Sequence, residues 1–196
     1  MSFELFGPLY RKVLEWSAHR HAERYLAALS FAESSFFPIP PDVMLGPMCL
    51  AARDRAWRFA TITTIASLAG GIAGYGIGYF LFDAMEPWLR TTDYWDAYVR
   101  GRAWFDSYGV WAVFIAGFSP IPYKIFTIAA GVAVLNLPGF ILASLVGRGA
   151  RFFLVAGLVV AGGERMAVLL PRYVERIGWG VVAVAVLAGI GYQFAS

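Results

Sequence analysis

Phe37-Pro38-Ile39-Pro40-Pro41-Asp42 and Pro120-Ile121-Pro122-Tyr123-Lys124 decide the fold. Both lie inside long apolar stretches, and each carries a charge two residues after its Pro-Ile-Pro triplet. Proline lacks a backbone N–H and its ring clashes with the preceding turn, so prolines this close end a helix. In lipid, a broken backbone is tolerated only where it is buried in protein or lines a wet cavity. Two broken apolar segments at matching places in two halves point to a transport site between inverted repeats. Ordinary kinked spanning helices are the alternative, weaker at Pro40-Pro41-Asp42 than in the second half.

The class follows from composition. The chain has 196 residues, 59% hydrophobic and 15% charged, with a mean hydropathy of +0.62. Soluble domains are about 45–50% apolar and about 25% charged. An integral membrane protein is expected, since several apolar stretches approach the roughly 20 residues that span a bilayer. A net charge of +3 suits a protein beside anionic lipid and is too small to argue for nucleic acid. Cys49 is the only cysteine, so no intramolecular disulfide is expected. Residues 1–30 lack the long apolar run of a cleavable signal peptide.

The chain divides into an amphipathic interfacial helix (1–28) and a single membrane domain (29–196). Leu5, Leu9, Val13 and Trp16 recur at helical spacing in the first; a cap packed on the bundle is the alternative. Within the second, the reading is a re-entrant hairpin over 29–52, a transmembrane helix over 57–83 and an amphipathic linker over 84–108. A second re-entrant hairpin over 109–136 and a transmembrane helix over 138–162 follow. A connector over 163–177 and a C-terminal span over 178–195 complete the chain. The expected fold is all-α, with two inverted repeats, each a hairpin plus a transmembrane helix. Ser67-Leu68-Ala69-Gly70 is echoed by Ser144-Leu145-Val146-Gly147. Gly70, Gly74 and Gly78, at spacing four, make a flat face for a neighbouring helix, read as intramolecular packing rather than a dimer face. If each broken segment enters and leaves by one side, the N-terminus, Arg53–Arg58 and 163–177 share a side holding ten of the 16 Lys and Arg residues. The positive-inside rule makes that side cytoplasmic.

Five ionisable residues fall where bundle interior is expected: Glu33, Asp42, Lys124, Arg148 and Arg151. An isolated charge at the centre of a spanning helix costs roughly 2.5–3.5 kcal/mol or more. Arg148 and Arg151 share a helix face. The functional reading is an anion site, with Lys124, Arg148 and Arg151 binding phosphate and Glu33 and Asp42 as proton-coupling or ion-pair partners. A static ion-pair network that locks the bundle is the alternative, and Arg151 could instead snorkel to an interface. The two histidines, His19 and His21, both fall in the N-terminal amphipathic segment, which disfavours enzymes needing a membrane-embedded His base. No zinc-protease motif, paired Cys/His cluster or P-loop is visible, so neither a metal nor a cofactor nor enzymatic activity is expected.

At these residues the chain resembles the DedA family, whose shared region is called the VTT or SNARE-associated domain. The resemblance covers roughly residues 25–165. It is carried by Glu33 with Phe37-Pro38-Ile39-Pro40-Pro41-Asp42, by Gly70-Gly71-Ile72-Ala73-Gly74-Tyr75-Gly76-Ile77-Gly78, and by Phe118-Ser119-Pro120-Ile121-Pro122-Tyr123-Lys124 with Ala130-Gly131. The short branch typified by bacterial YqaA proteins is most similar. The family's second motif usually carries two arginines; Lys124 matches the later one, and the earlier falls near Phe118. The resemblance implies a multi-pass bacterial inner-membrane protein that moves an anionic lipid, such as undecaprenyl phosphate or a phospholipid, with protons as a coupling partner and a homo-oligomer left open. A small-ion or solute transporter, or a membrane scaffold or chaperone, are the competing functions.

Overall fold

The computed structural model describes residues 19–35, 39–92, 95–119 and 122–163. The expectations for 1–18, for Pro38 and Pro120, for most of the connector 163–177 and for the span 178–195 lie outside these residues. Among the described residues all regular structure is helical. Six α-helices follow in order: α1 (Ala22–Ser35), α2 (Asp42–Ala51), α3 (Ala56–Leu89), α4 (Trp95–Phe118), α5 (Tyr123–Val132) and α6 (Leu137–Gly163), with a short 3-10 turn at Arg53–Arg55 before α3.

Among the described residues, two helical segments, Arg53–Leu89 and Leu137–Gly163, are long and apolar enough to cross a membrane. Their outward faces carry Ile65, Ile72, Phe80 and Leu81 on α3, and Leu142, Leu145, Val146 and Phe153 on α6. An apolar surface this extensive is a liability in water and a requirement in lipid. The two shorter apolar helices, α2 and α5, each start just after a proline cluster. Pro41 precedes α2 with φ −66° and ψ −16°, already close to helical values. Asp42 stands in the first turn, where a carboxylate is stabilised by the helix dipole. Pro122 precedes α5 with ψ 102°, outside the helical region, so the chain turns there.

Helix boundaries differ from expectation in two places. Residues 22–28, assigned by their charge pattern to the interfacial helix, form the first half of α1, which buries Leu26, Leu29 and Ser30. The linker expected over 84–108 is divided between the end of α3 and the start of α4, with turns at Thr91 and Thr92. Pro87 sits in the last turn of α3, and aromatic residues in α4 continue its helix through Gly101 and Gly109.

The helices beside the proline breaks, α1 before the first and α5 after the second, lie against the middle of α3. A Cβ at Gly70 would fall on the Phe31 carbonyl of α1, and one at Gly78 on the Ile128 carbonyl of α5. Between them Gly74 meets Thr127 of α5 and the Ser34 carbonyl of α1, the latter at 3.2 Å. The glycine ridge is therefore an intramolecular packing face, and the helix on either side approaches at backbone distance. The open ends of the two broken segments diverge along α3. The start of α1 and the end of α2 line one cavity beside Phe59. At the other end, Tyr98 of α4 hydrogen-bonds the Val132 carbonyl of α5 (3.3 Å) and stacks on Phe82.

Two apolar clusters flank this meeting point. Leu26, Met44, Leu45, Phe59, Phe152, Val155 and Val159 join α1, α2, α3 and α6. Val113, Ala116, Tyr123, Ala130, Leu135, Phe140 and Ala143 join α4, α5 and α6. Gly147 of α6 packs on the Phe114 backbone of α4, as Gly70 of α3 packs on Phe31 of α1. Each Ser-Leu-x-Gly stretch thus packs on the helix that precedes a proline cluster. Asn136 caps α6, its Oδ1 accepting the Gly139 amide at 2.9 Å, as N-cap residues do.

Candidate functional site

Between the apolar clusters runs a polar seam of fully buried hydroxyls: Ser30, Ser34, Thr63, Ser67, Ser119, Thr127 and Ser144. Its first layer joins α1 to α3. Ser30 Oγ donates to the Thr63 carbonyl (2.7 Å), Ser34 and Ser67 share a hydroxyl–hydroxyl bond (2.7 Å), and Ser35 Oγ donates to the Gly70 carbonyl (2.9 Å). Small residues at helical spacing bring the backbones close enough for these bonds, which replace water as partner in the membrane.

Arg148 enters this seam from α6. Its Nη2 pairs with Glu33 Oε2 and lies 3.3 Å from Ser34 Oγ, and its Nε donates to Ser67 Oγ at 2.6 Å. The guanidinium lies 4.9 Å from the centre of the Tyr123 ring and 4.6 Å from that of Phe152. Cation–π contact on a desolvated guanidinium contributes about 2 kcal/mol. Tyr123 is itself fixed by a hydroxyl bond to Ser144. Only 3% of the Arg148 side chain and 13% of Glu33 is exposed.

One turn further along α6, Arg151 makes the second connection. Its Nη2 donates to Asp42 Oδ2 at 2.6 Å and its Nη1 to the Ser119 carbonyl at 2.6 Å. Asp42 begins α2 just after the first proline break, and Ser119 ends the chain leading into the second. Asp42 Oδ1 and Arg151 Nε are buried with no hydrogen-bond partner among the described residues. Such atoms carry a desolvation penalty unless a further polar group reaches them.

The structure therefore brings four of the five predicted ionisable residues together on one face of α6. Glu33 lies before the first break and Asp42 after it, so the two arginines hold both limbs of that segment. Lys124 stands in the first turn of α5, half-buried, next to Tyr123. Its carbonyl accepts Thr127 Oγ1 at 2.9 Å, and Thr127 Oγ1 also reaches the Ser34 carbonyl at 3.3 Å. Of the break residues, Pro40 is exposed, Pro41 buried and Pro122 exposed. Sequence reasoning missed Ser34, Ser67 and Tyr123 as partners of Arg148. Ser67 and Ser144 were visible only as a repeated tetrapeptide.

Arginine with carboxylate offers one clear chemistry. Guanidinium recognises the planar oxygens of carboxylate and the oxygens of phosphate by the same charge-assisted bonds, so a phosphate can replace a carboxylate partner. Among the described residues no group of His, Cys, Asp or Glu could hold a metal ion.

Comparison with known proteins places these features in a family. The VTT domain matches residues 39–161, and the chain belongs to the VTT-domain family. It is 47% identical over 185 residues to an uncharacterized protein of Haemophilus influenzae, covering 94% of this chain and 96% of that one. It is 44% identical over 184 residues to an uncharacterized protein of Histophilus somni, covering 94% and 96%. At 29% identity over 165 residues, covering 76% of this chain and 79% of the other, it is similar to undecaprenyl phosphate transporter A of Staphylococcus aureus. No solved structure matches. Among the described residues, the two helices of spanning length and their apolar outer faces are those of a membrane protein.

Proposed function

We propose that this VTT-domain protein moves an anionic lipid, a polyprenyl phosphate or a phospholipid, between the leaflets of the bacterial inner membrane. One observation carries the reading. Arg151 holds Asp42 beside the first proline break and the Ser119 carbonyl beside the second, so a ligand that takes Arg151 acts on both breaks at once. A lipid phosphate is such a ligand. It competes with Asp42 for Arg151 and with Glu33 for Arg148, and Lys124 adds a third cation from α5. Protonation of either carboxylate weakens its hold on the arginine and favours phosphate, which would couple movement to protons. The described activity of the staphylococcal relative supports the substrate class.

The architecture in this reading is two inverted repeats. Each is a re-entrant hairpin followed by a spanning helix: 29–52 with 57–83, and 109–136 with 138–162. The divergence of the open ends along α3 supports it, as does the parallel packing of Gly70 on Phe31 and Gly147 on Phe114. The arginine distribution supports a cytoplasmic N-terminus. A rival reading, a membrane scaffold, is favoured by the pairing of both α6 arginines with carboxylates, as in a static lock.

Reconstituted liposomes separate the two. Wild-type protein should accelerate transfer of a fluorescent polyprenyl phosphate or phospholipid between leaflets, and folded Arg151→Gln protein should not. Equal transfer by empty and protein-containing liposomes would remove the transport reading.

A further inference from the structure

A second cluster of cations lies away from the buried seam. The start of α1 and the end of α2 line an open cavity of about 440 Å³ with Arg55 and Phe59. Small-molecule sites occupy about 300–1,000 Å³, so the space exceeds what a bare inorganic ion requires. Its rim carries Arg20, Arg24 and Arg55 together with Glu23, His19 and His21. Arg20, Arg24 and Arg55 are exposed, whereas Ala22, Met48 and Phe59 are buried beneath them.

The nearby carboxylates do not cancel these cations. Glu23 lines the cavity as a single carboxylate among three arginines, and it is shared with Arg58, a residue outside the lining, at 2.8 Å. Asp54 stands 3.8 Å from Arg55 with both side chains mostly exposed, a geometry that contributes little. His19 Nδ1 accepts the His21 amide at 3.2 Å, which leaves its Nε2 as the N–H donor. The N-terminus of α1 adds its partial positive charge at the same place. The C-terminal turn of α2, on the opposite wall, carries the opposite partial charge, and the three arginines outweigh it together with Glu23.

We propose that this cavity is a binding site for the phosphate headgroup of an anionic amphiphile, separate from the arginine–carboxylate seam. The cationic rim takes the phosphate, and the floor of Ala22, Met48 and Phe59 takes the first apolar carbons attached to it. A free phosphate would use the rim alone. The site goes beyond the transport reading and does not depend on it, because its test reads binding.

Binding of dioctanoyl phosphatidic acid to the full chain in neutral detergent, followed by titration calorimetry, tests the site. Dioctanoyl phosphatidylcholine and inorganic phosphate form the comparison arms. Phosphatidic acid should bind best, and Arg24→Gln/Arg55→Gln should weaken it by about tenfold or more, as expected for losing two charge-assisted contacts. Arg100→Gln/Arg102→Gln, exposed positions on α4, should leave it unchanged. Unfolding temperature and size-exclusion profile establish that the variants are folded. Less than a twofold loss in Arg24→Gln/Arg55→Gln, or an equal loss in the α4 variant, would overturn the site. Inorganic phosphate binding as tightly as the lipid would overturn its assignment to an amphiphile.

Discussion

Arg151 and Asp42, 109 positions apart in sequence, meet at 2.6 Å with only 11% and 18% of their side chains exposed. One turn away on α6, Arg148 holds Glu33 in the same way. Removing one member of a buried pair strands the other, at a cost of about 3–5 kcal/mol, whereas replacing both by apolar groups is often neutral. Arg151→Met alone should therefore lower the unfolding temperature in detergent, and Asp42→Leu/Arg151→Met should recover most of it. The recovered double variant should remain inactive in lipid transfer. Full activity in a stable double variant would assign the pair to the lock alone.

Lys124 tests the phosphate reading from α5. Lys124→Ala should lose most transfer activity with its unfolding temperature within a few degrees of wild type. Lys124→Arg should retain more, because the charge survives although the fork geometry differs. Unreduced transfer by Lys124→Ala protein would exclude Lys124 from substrate binding.

The glycine ridge makes a stability prediction with its own control. At Gly78 a methyl group would overlap the Ile128 backbone, whereas at Gly76 it would meet nothing within 4 Å. Gly78→Ala should reduce the yield of folded protein sharply and lower thermal stability by about 1–3 kcal/mol or more, the scale of overpacking. Gly76→Ala should be neutral or slightly stabilising, as Ala favours helix. Thermal unfolding of both variants settles the comparison.

Val134 closes the turn after α5 at φ 55°, a left-handed backbone that a β-branched residue rarely adopts. Its amide still reaches the Gly131 carbonyl at 3.0 Å, and that of Leu135 the Ala130 carbonyl at 2.9 Å. Val134→Gly should keep these bonds and relieve about 1 kcal/mol of strain, raising the unfolding temperature. A fall would show that the side chain contributes more through packing than it costs in conformation.

Much of this architecture is legible in the sequence because lipid restricts where prolines and charges can go. Pro40-Pro41-Asp42 and Pro122 mark the breaks, the ridge from Gly70 to Gly78 marks the packing face, and Glu33, Asp42, Arg148 and Arg151 mark the seam. Which carboxylate meets which arginine is not legible, since it depends on how α6 is rotated against α1 and α2. The roles of Ser34 and Ser67 escape notice for a related reason: serines are common in membrane helices, and only the crossing of α1 on α3 brings them to Arg148. The division of 84–108 between two helices escapes because its aromatic residues suit a headgroup layer and a helix equally. The charge pattern of residues 22–28 reads as a surface helix although Ala22 and Leu26 are buried.

Leaflet transfer measured against pH, in liposomes holding wild type, Asp42→Asn or Glu33→Gln, tests the central claim most directly. The claim is that lipid phosphate and the two carboxylates compete for Arg148 and Arg151. Wild-type protein should transfer fluorescent polyprenyl phosphate, but not the corresponding uncharged polyprenol, at a rate that depends on pH. Asp42→Asn and Glu33→Gln should still bind the phosphate lipid, with transfer stopped or made independent of pH. Identical pH profiles in all three proteins, or equal transfer of the uncharged polyprenol, would contradict the account.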